Sequence, residues 1–436
     1  MTEAKAPTGT RRFARALLAI AIVALGVRVG YVLLDKRDQQ ILGDQIYYNA
    51  QANTLARGDG FTDFRDGSET AEHPPLTALV LAPASWIGYR IDDRGTNQLA
   101  HRLTMAVLGV AVVVVIALVG RTVAGDRTGL IAGAIAALYP NLWANDGAIM
   151  SETVAALSVA LAILLGYRFW RAPTWRNALW LGGVCGLAML VRAELGLLLP
   201  VMVVPLGLRA AAGALRERIG LVAVSFVAAA VVVSPWVVAN LVRFEEPVLF
   251  STNDGLTLCG ANTDHVYYGD GTGLWALDCA FLKVPKGDRS VVSNHLRHVA
   301  VEYVGDHLGR VPVVVLARVG RVWSLYAPGQ MADYSEDEGR EGLVSWLGFA
   351  AFWVLVPFAV GGAIVLRRRP VELWPLLSQV VVVTITAALV YGLVRFRVPA
   401  EIPLVVLAAV AFDALLARRT GDATDHVSTM VASSSS

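Results

Sequence analysis

Asp44 stands about ten residues past the first membrane-length apolar run, in the stretch GDQIYY, with Tyr47 and Tyr48 one turn further on. A carboxylate so placed can accept a proton from a hydroxyl group at a membrane surface. Gly43-Asp44 also suits a helix start, where an Asp caps exposed backbone N–H groups, and one side chain can do both. The same polar loop closes on Glu72-His73-Pro74-Pro75. The prolines hold the preceding backbone extended and then permit a helix to begin, so Glu72 and His73 are presented from a rigid turn. They can orient an acceptor or hold a divalent metal, since His and carboxylate are both suitable ligands. The plainer alternative is a helix-entry turn whose His bonds to backbone.

Glu152 opens the apolar run ETVAALSVALAILL, where a carboxylate also suits a helix N-terminus. Asp146, nearby, reads as a loop residue. Arg192 stands between two short apolar runs in LAMLVRAELGLLL, and Arg395 and Arg397 stand just before the last run in YGLVRFRVPAEIPLVV. An arginine at such depth is costly unless paired, and its planar fork of donors suits a phosphate. The alternative for these arginines is a salt bridge, with Glu194 and Glu401 as the obvious partners.

The elements that must position these residues are membrane helices. Hydrophobic residues make up 56% of the 436 and charged residues 17%, with a mean hydropathy of +0.56, which points to a polytopic membrane protein. Apolar runs near the length of a membrane span fall at 13–34, 99–120, 128–143, 151–169, 177–191, 194–209, 219–242, 343–366, 371–392 and 398–416, about ten in all. The short pairs around Trp143 and Arg192 suit tilted or broken helices. The first run has no small-residue cleavage site at its end and reads as a retained helix. With the N-terminus inside, Arg11, Arg12, Arg15, the triplet Arg367-Arg368-Arg369 and Arg418-Arg419 fall in the cytoplasm. That threading puts Asp44, Glu72, His73, Glu152, Arg192, Arg395 and Arg397 together on the outer face, against the charge bias that the flanking arginines obey.

Two outer loops are large, at about 35–98 and 243–342. The first is expected to hold two interfacial helices, an amphipathic one at 44–57, where Ile46, Ala50, Asn53, Leu55 and their neighbours alternate apolar and polar sides, and one at about 74–88. The second carries a helical segment at about 290–326 with Arg310, Arg318 and Arg321, read as interfacial with its arginines facing lipid head groups; the alternative is an additional span, against which Arg318 and Arg321 count. Cys259 and Cys279 share this loop, and a disulfide between them suits an oxidising compartment; Cys185 reads as a packing residue. Residues 1–416 form one transmembrane domain and 417–436 a disordered cytoplasmic tail.

In order, the G-D-x-x-Y-Y acid, H-P-P-L, the acid that opens a later span, L-x-R-x-E and R-x-R-x-P-A resemble the motifs of the GT-C glycosyltransferases. The nearest branch is that of the protein O-mannosyltransferases and lipid A aminoarabinose transferases. The resemblance implies an all-α polytopic fold and a sugar donor carried on a polyprenyl phosphate. It makes Asp44 the catalytic residue and Arg192, Arg395 and Arg397 the holders of the donor phosphate. Tyr47, Tyr48, Glu72, His73 and Glu152 would line the acceptor and donor cavity. Two departures stand out: Gln45 replaces the second acid that many relatives carry, and the chain shows no large soluble C-terminal domain.

The expected activity is inverting transfer of a hexose or pentose to an acceptor hydroxyl on the outer face of the cytoplasmic membrane, independent of metal or weakly dependent on a divalent one, with no cofactor required. The acceptor is a lipid, glycan or protein; membrane lipids are partners and nucleic acid is not. A lipid-linked saccharide transporter or flippase is the alternative from another class, although no inverted repeat is visible. An O-antigen ligase or polymerase, with a pyrophosphate-linked donor, is the third reading.

Overall fold

The computed structural model describes residues 8–91, 97–210 and 213–433, and their side chains within 11–90, 97–210 and 213–418. Among these the elements are helices, with one isolated antiparallel bridge between Thr62 and Glu69. The first half comprises α1 (Thr8–Tyr31), α2 (Asp44–Arg57), α3 (Leu76–Ile91), α4 (Gln98–Ala124), α5 (Asp126–Leu138), α6 (Pro140–Asp146), α7 (Glu152–Arg171), α8 (Trp175–Met189), α9 (Val204–Arg209) and α10 (Leu215–Arg243). The second large loop folds into α11 (Asp254–Gly260), α12 (Asp264–Tyr267), α13 (Arg289–Asp306), α14 (Val311–Val322) and α15 (Pro328–Asp337). The chain then returns through α16 (Gly342–Arg367), α17 (Trp374–Leu389) and α18 (Val398–Ser433). Most of the tail expected at 417–436 lies outside the described side chains.

Among the described residues six helices are long and apolar enough to cross a membrane: α1, α4, α7, α10, α16 and the segment from Val394 to Arg418 that runs into α18. The other four expected spans fall on shorter or interrupted pieces. α17 has 16 residues and α8 has 15. α5 and α6 part at Tyr139, whose extended backbone precedes Pro140. After Arg192, a 3₁₀ turn (Ala193–Leu197) and a π-helical turn (Leu199–Val203) lead into α9. Pro200 and Pro205 lack the N–H groups that one regular helix would need there.

Glycine brings helices into contact where lipid offers no hydrophobic gain for association. A Cβ at Gly182 of α8 would stand 2.0 Å from the Ser225 carbonyl oxygen of α10, and one at Gly362 of α16 would stand 1.8 Å from that of Leu407 in α18.

Several residues depart from their sequence reading. Asp146 is fully buried: it accepts from Arg28 Nε of α1 at 2.6 Å and from Thr153 Oγ1 of α7 at 2.7 Å. The face that α2 buries is polar rather than apolar, with Ile46 40% exposed. Asn49 contacts His101 Nδ1 of α4 at 2.9 Å, and Asn53 accepts from Ser85 of α3 at 2.7 Å. Arg318 and Arg321 of α14 point inward instead of toward head groups. Both are buried and donate to backbone carbonyls, Arg318 to Ala261 and Ala388, Arg321 to Asp270 and Thr272. They fasten the turn that precedes the Cys259–Cys279 disulfide partner, and that disulfide is formed.

Removing one partner of a buried ion pair leaves an uncompensated charge. Arg28→Met is therefore expected to cost about 3–5 kcal/mol of stability, and pairing it with Asp146→Asn should recover most of that loss. Unfolding in detergent measures both variants; equal destabilisation would contradict the pairing.

Candidate active site

Gly43 adopts φ +53°, a left-handed conformation that glycine tolerates, and turns the chain so that Asp44 becomes the first residue of α2. Gly43 is the N-cap of this helix, so Asp44 stands one position inside it instead of at the cap. Its Oδ2 accepts from Arg395 Nη2 at 2.8 Å, and its Oδ1 lies 3.5 Å from His73 Nε2. His73 is not a backbone-bonded turn residue: it stacks on the Tyr48 ring at a centroid distance of 5.1 Å and meets Tyr47 edge-on at 5.0 Å.

Arg395 gathers a second and a third carboxylate. Its Nη1 donates to Glu338 Oε1 at 2.8 Å, and its Nε stands 3.7 Å from Glu152 Oε1. Glu152 also accepts from Arg192 Nη1 at 3.0 Å, while Arg192 Nε donates to Glu194 Oε1 at 2.6 Å. Phe396 lies beneath both guanidinium groups, at 4.7 Å from Arg192 and 5.9 Å from Arg395. Two cations are thus flanked by four carboxylates in one continuous network. Burial alone would raise the Asp44 pKa, but Arg395 and His73 beside it hold the carboxyl well below its usual range. Burial works against a charged His73, yet Asp44 wins and raises the imidazole above its usual value. Burial raises the Glu338 carboxyl, with Arg395 only partly opposing it.

The network opens onto a cavity of about 830 Å³. Asp44, Tyr48, Glu72, His73, Arg192 and Arg395 line it, together with Trp275, Tyr334, Glu338 and Tyr391. It lies where α8 and α17 end and where the turn before α18 begins, so the first loop, the second loop and the helix bundle all contribute walls. Tyr47 packs behind His73 and Glu152 behind the arginines, both buried. Glu72 stands 3.6 Å from Arg65 of its own loop and 3.9 Å from Arg289, which links this loop to α13.

Arg397 lies away from the cavity. It is fully buried, donates to Glu401 Oε1 at 2.6 Å and to Ser324 Oγ at 2.8 Å, and covers the Phe352 ring at 3.7 Å. One 3₁₀ turn, Val394–Arg397, sends its two arginines in different directions. Sequence reasoning missed Glu338, because DYSEDEGRE reads as a solvated acidic run and only the fold turns one of its acids toward Arg395. Among the described residues no three His, Cys, Asp or Glu side chains gather as a metal cluster.

Residues 72–238 match the family described as dolichyl-phosphate-mannose-protein mannosyltransferase. No curated protein matches the chain as a whole-sequence relative. In fold it is similar to the archaeal oligosaccharyltransferase AglB from Archaeoglobus fulgidus, solved with an inhibitory peptide and a dolichol-phosphate: 17% identity, TM-score 0.56, covering 96% of this chain and 52% of that one. A second structure of the Archaeoglobus fulgidus enzyme, tethered to an acceptor peptide with the NVT sequon, gives 15% identity, TM-score 0.54, and 93% and 50% coverage. The chain thus spans about half the length of these oligosaccharyltransferases. ArnT from Cupriavidus metallidurans, solved with undecaprenyl phosphate, matches at 15% identity over 93% of this chain and 78% of its own, with a TM-score of 0.43, too low to weigh. The chain is thus a multi-pass helical membrane protein similar in fold to these oligosaccharyltransferases, with a match to the dolichyl-phosphate-mannose-protein mannosyltransferase family at residues 72–238.

Proposed function

We propose that the chain is a glycosyltransferase that moves a sugar from a polyprenyl phosphate to an acceptor hydroxyl at the outer face of the membrane, with inversion. The observation that carries this reading is the meeting of Asp44 and Arg395 at one cavity, 351 residues apart in sequence. An acid able to take a proton and an arginine able to hold a phosphate face the same space. The formed Cys259–Cys279 disulfide supports an oxidising side for that space.

Arg395 and Arg192 would take the donor phosphate, while Arg397, committed to Glu401, would brace the turn from behind. A carboxylate held as low as Asp44 is a weak base. When the donor phosphate draws Arg395 toward itself, Asp44 regains basicity beside the acceptor hydroxyl, which attacks the anomeric carbon opposite the phosphate. The leaving phosphate is stabilised by arginine charge already in place. Glu338 holds the same guanidinium and so competes with the phosphate for it. A lipid flippase reading leaves Asp44 and His73, facing one cavity, without a task.

Asp44→Asn should lower transfer from a polyprenyl phosphate sugar by about 10²–10⁴-fold; unimpaired transfer in reconstituted membranes would refute the base assignment. Glu338→Gln removes the competing charge and should tighten binding of polyprenyl phosphate about tenfold, equivalent to about 1.4 kcal/mol. Weaker binding would show that Glu338 holds Arg395 in its working position instead. Because Arg395 lowers the Asp44 pKa in the unliganded protein, the carboxylate stays ionised as pH falls and is lost only on passing that low value. Removing the cation shifts this loss to higher pH. The acid limb of kcat/KM for the residual activity of Arg395→Met should therefore rise relative to the parent; an unmoved limb would mean that Asp44 does not set it.

A further inference from the structure

The cavity wall includes Leu277, the first residue of a 3₁₀ turn over Leu277–Phe281. Cys279 within this turn is buried and bridged to Cys259 of α11, so the turn is stapled in place. Directly after Cys279, every residue from 280 to 287 is exposed, in the sequence AFLKVPKG. Phe281 is 84% exposed, and Leu282 and Val284 are each 43% exposed. Lys283 and Lys286 lie between and after them, and neither takes part in an ion pair among the described residues. The flanking acids are occupied: Asp278 accepts from Thr263 and contacts His265, and Asp288 caps α13 through Ser290 and Val291. The strip therefore presents apolar side chains and positive charge without a carboxylate of its own.

Its tether keeps it near the ends of two helices. Leu277 shares the cavity with Val191 and Tyr391, each two residues past the end of its helix, α8 and α17. A 3₁₀ turn rises about 2 Å per residue, so Phe281 lies roughly 8 Å along the chain from Leu277. Whatever its direction, a displacement of that size is comparable to one head-group layer, the difference between about 30 Å of hydrocarbon and about 40–45 Å of whole bilayer shared between two faces. Exposed aromatic and aliphatic residues interleaved with lysine at that level match the chemistry of an anionic lipid surface. The apolar groups enter the acyl boundary, and the long lysine stems reach back to lipid phosphates.

We propose that residues 280–287 dock into an anionic lipid surface on the cavity side of the membrane, with Phe281, Leu282 and Val284 in the acyl boundary and Lys283 and Lys286 on lipid phosphates. The strip thereby holds the cavity mouth at the lipid surface. This does not depend on the transferase reading, and its test needs no substrate.

Val284→Cys in the full chain, labelled with a polarity-sensitive fluorophore, reports the strip directly, because the native free cysteine, Cys185, is buried. Mass analysis of the Cys259–Cys279 peptide verifies that the native bridge is intact in the labelled protein. In nanodiscs containing anionic lipid, quenching by a lipid-borne nitroxide should exceed quenching by aqueous iodide at least twofold. Adding Lys283→Glu and Lys286→Glu should lower the lipid-borne quenching at least twofold. Quenching by iodide alone would overturn the proposal, as would protection from both quenchers, which would mean that protein covers the strip. Unchanged lipid quenching in the charge-reversed variant would overturn the anionic contact.

Discussion

One guanidinium holds the site together. Arg395 donates to Asp44 at the start of α2 and to Glu338 at the end of α15, and stands within ion-pair distance of Glu152 at the start of α7. These carboxylates come from the first loop, the second loop and the helix bundle. Each is costly to bury alone, and a single cation shared among them makes their convergence tolerable. The surrounding pieces serve that arrangement: Gly43 turns Asp44 inward, the prolines at 74 and 75 present His73 to it, and the Arg28–Asp146–Thr153 link fixes the corner from which Glu152 projects.

The same arrangement gives the site a reason to respond to its ligand. With four carboxylates around two arginines, the unliganded network carries an excess of acid. A phosphate entering it competes for donors that are already in use. Arg395 can therefore link donor binding to Asp44 basicity, since the interaction that restrains the carboxylate is the one that the phosphate takes over.

The periodic apolar runs made the membrane helices legible in the sequence, since a bilayer demands length and apolarity from each span. The charge bias of the loops likewise singled out Arg192 and Arg395. Arg397 shared that signal and yet turned to Glu401, because spacing along an irregular turn does not say where a side chain points. Asp146 and Glu338 were illegible for a related reason: each takes its meaning from a residue more than 50 positions away. The inward polar face of α2 and the inward arginines of α14 also depend on partners that only the assembled fold supplies.

The most direct test of the central claim is a structure of the full chain in nanodiscs with bound polyprenyl phosphate. The account expects the phosphate within hydrogen-bond distance of Arg395 and Arg192, with Asp44 released from Arg395 and facing the cavity. A phosphate bound away from both arginines, or bound while the Asp44–Arg395 pair stays closed, would contradict it.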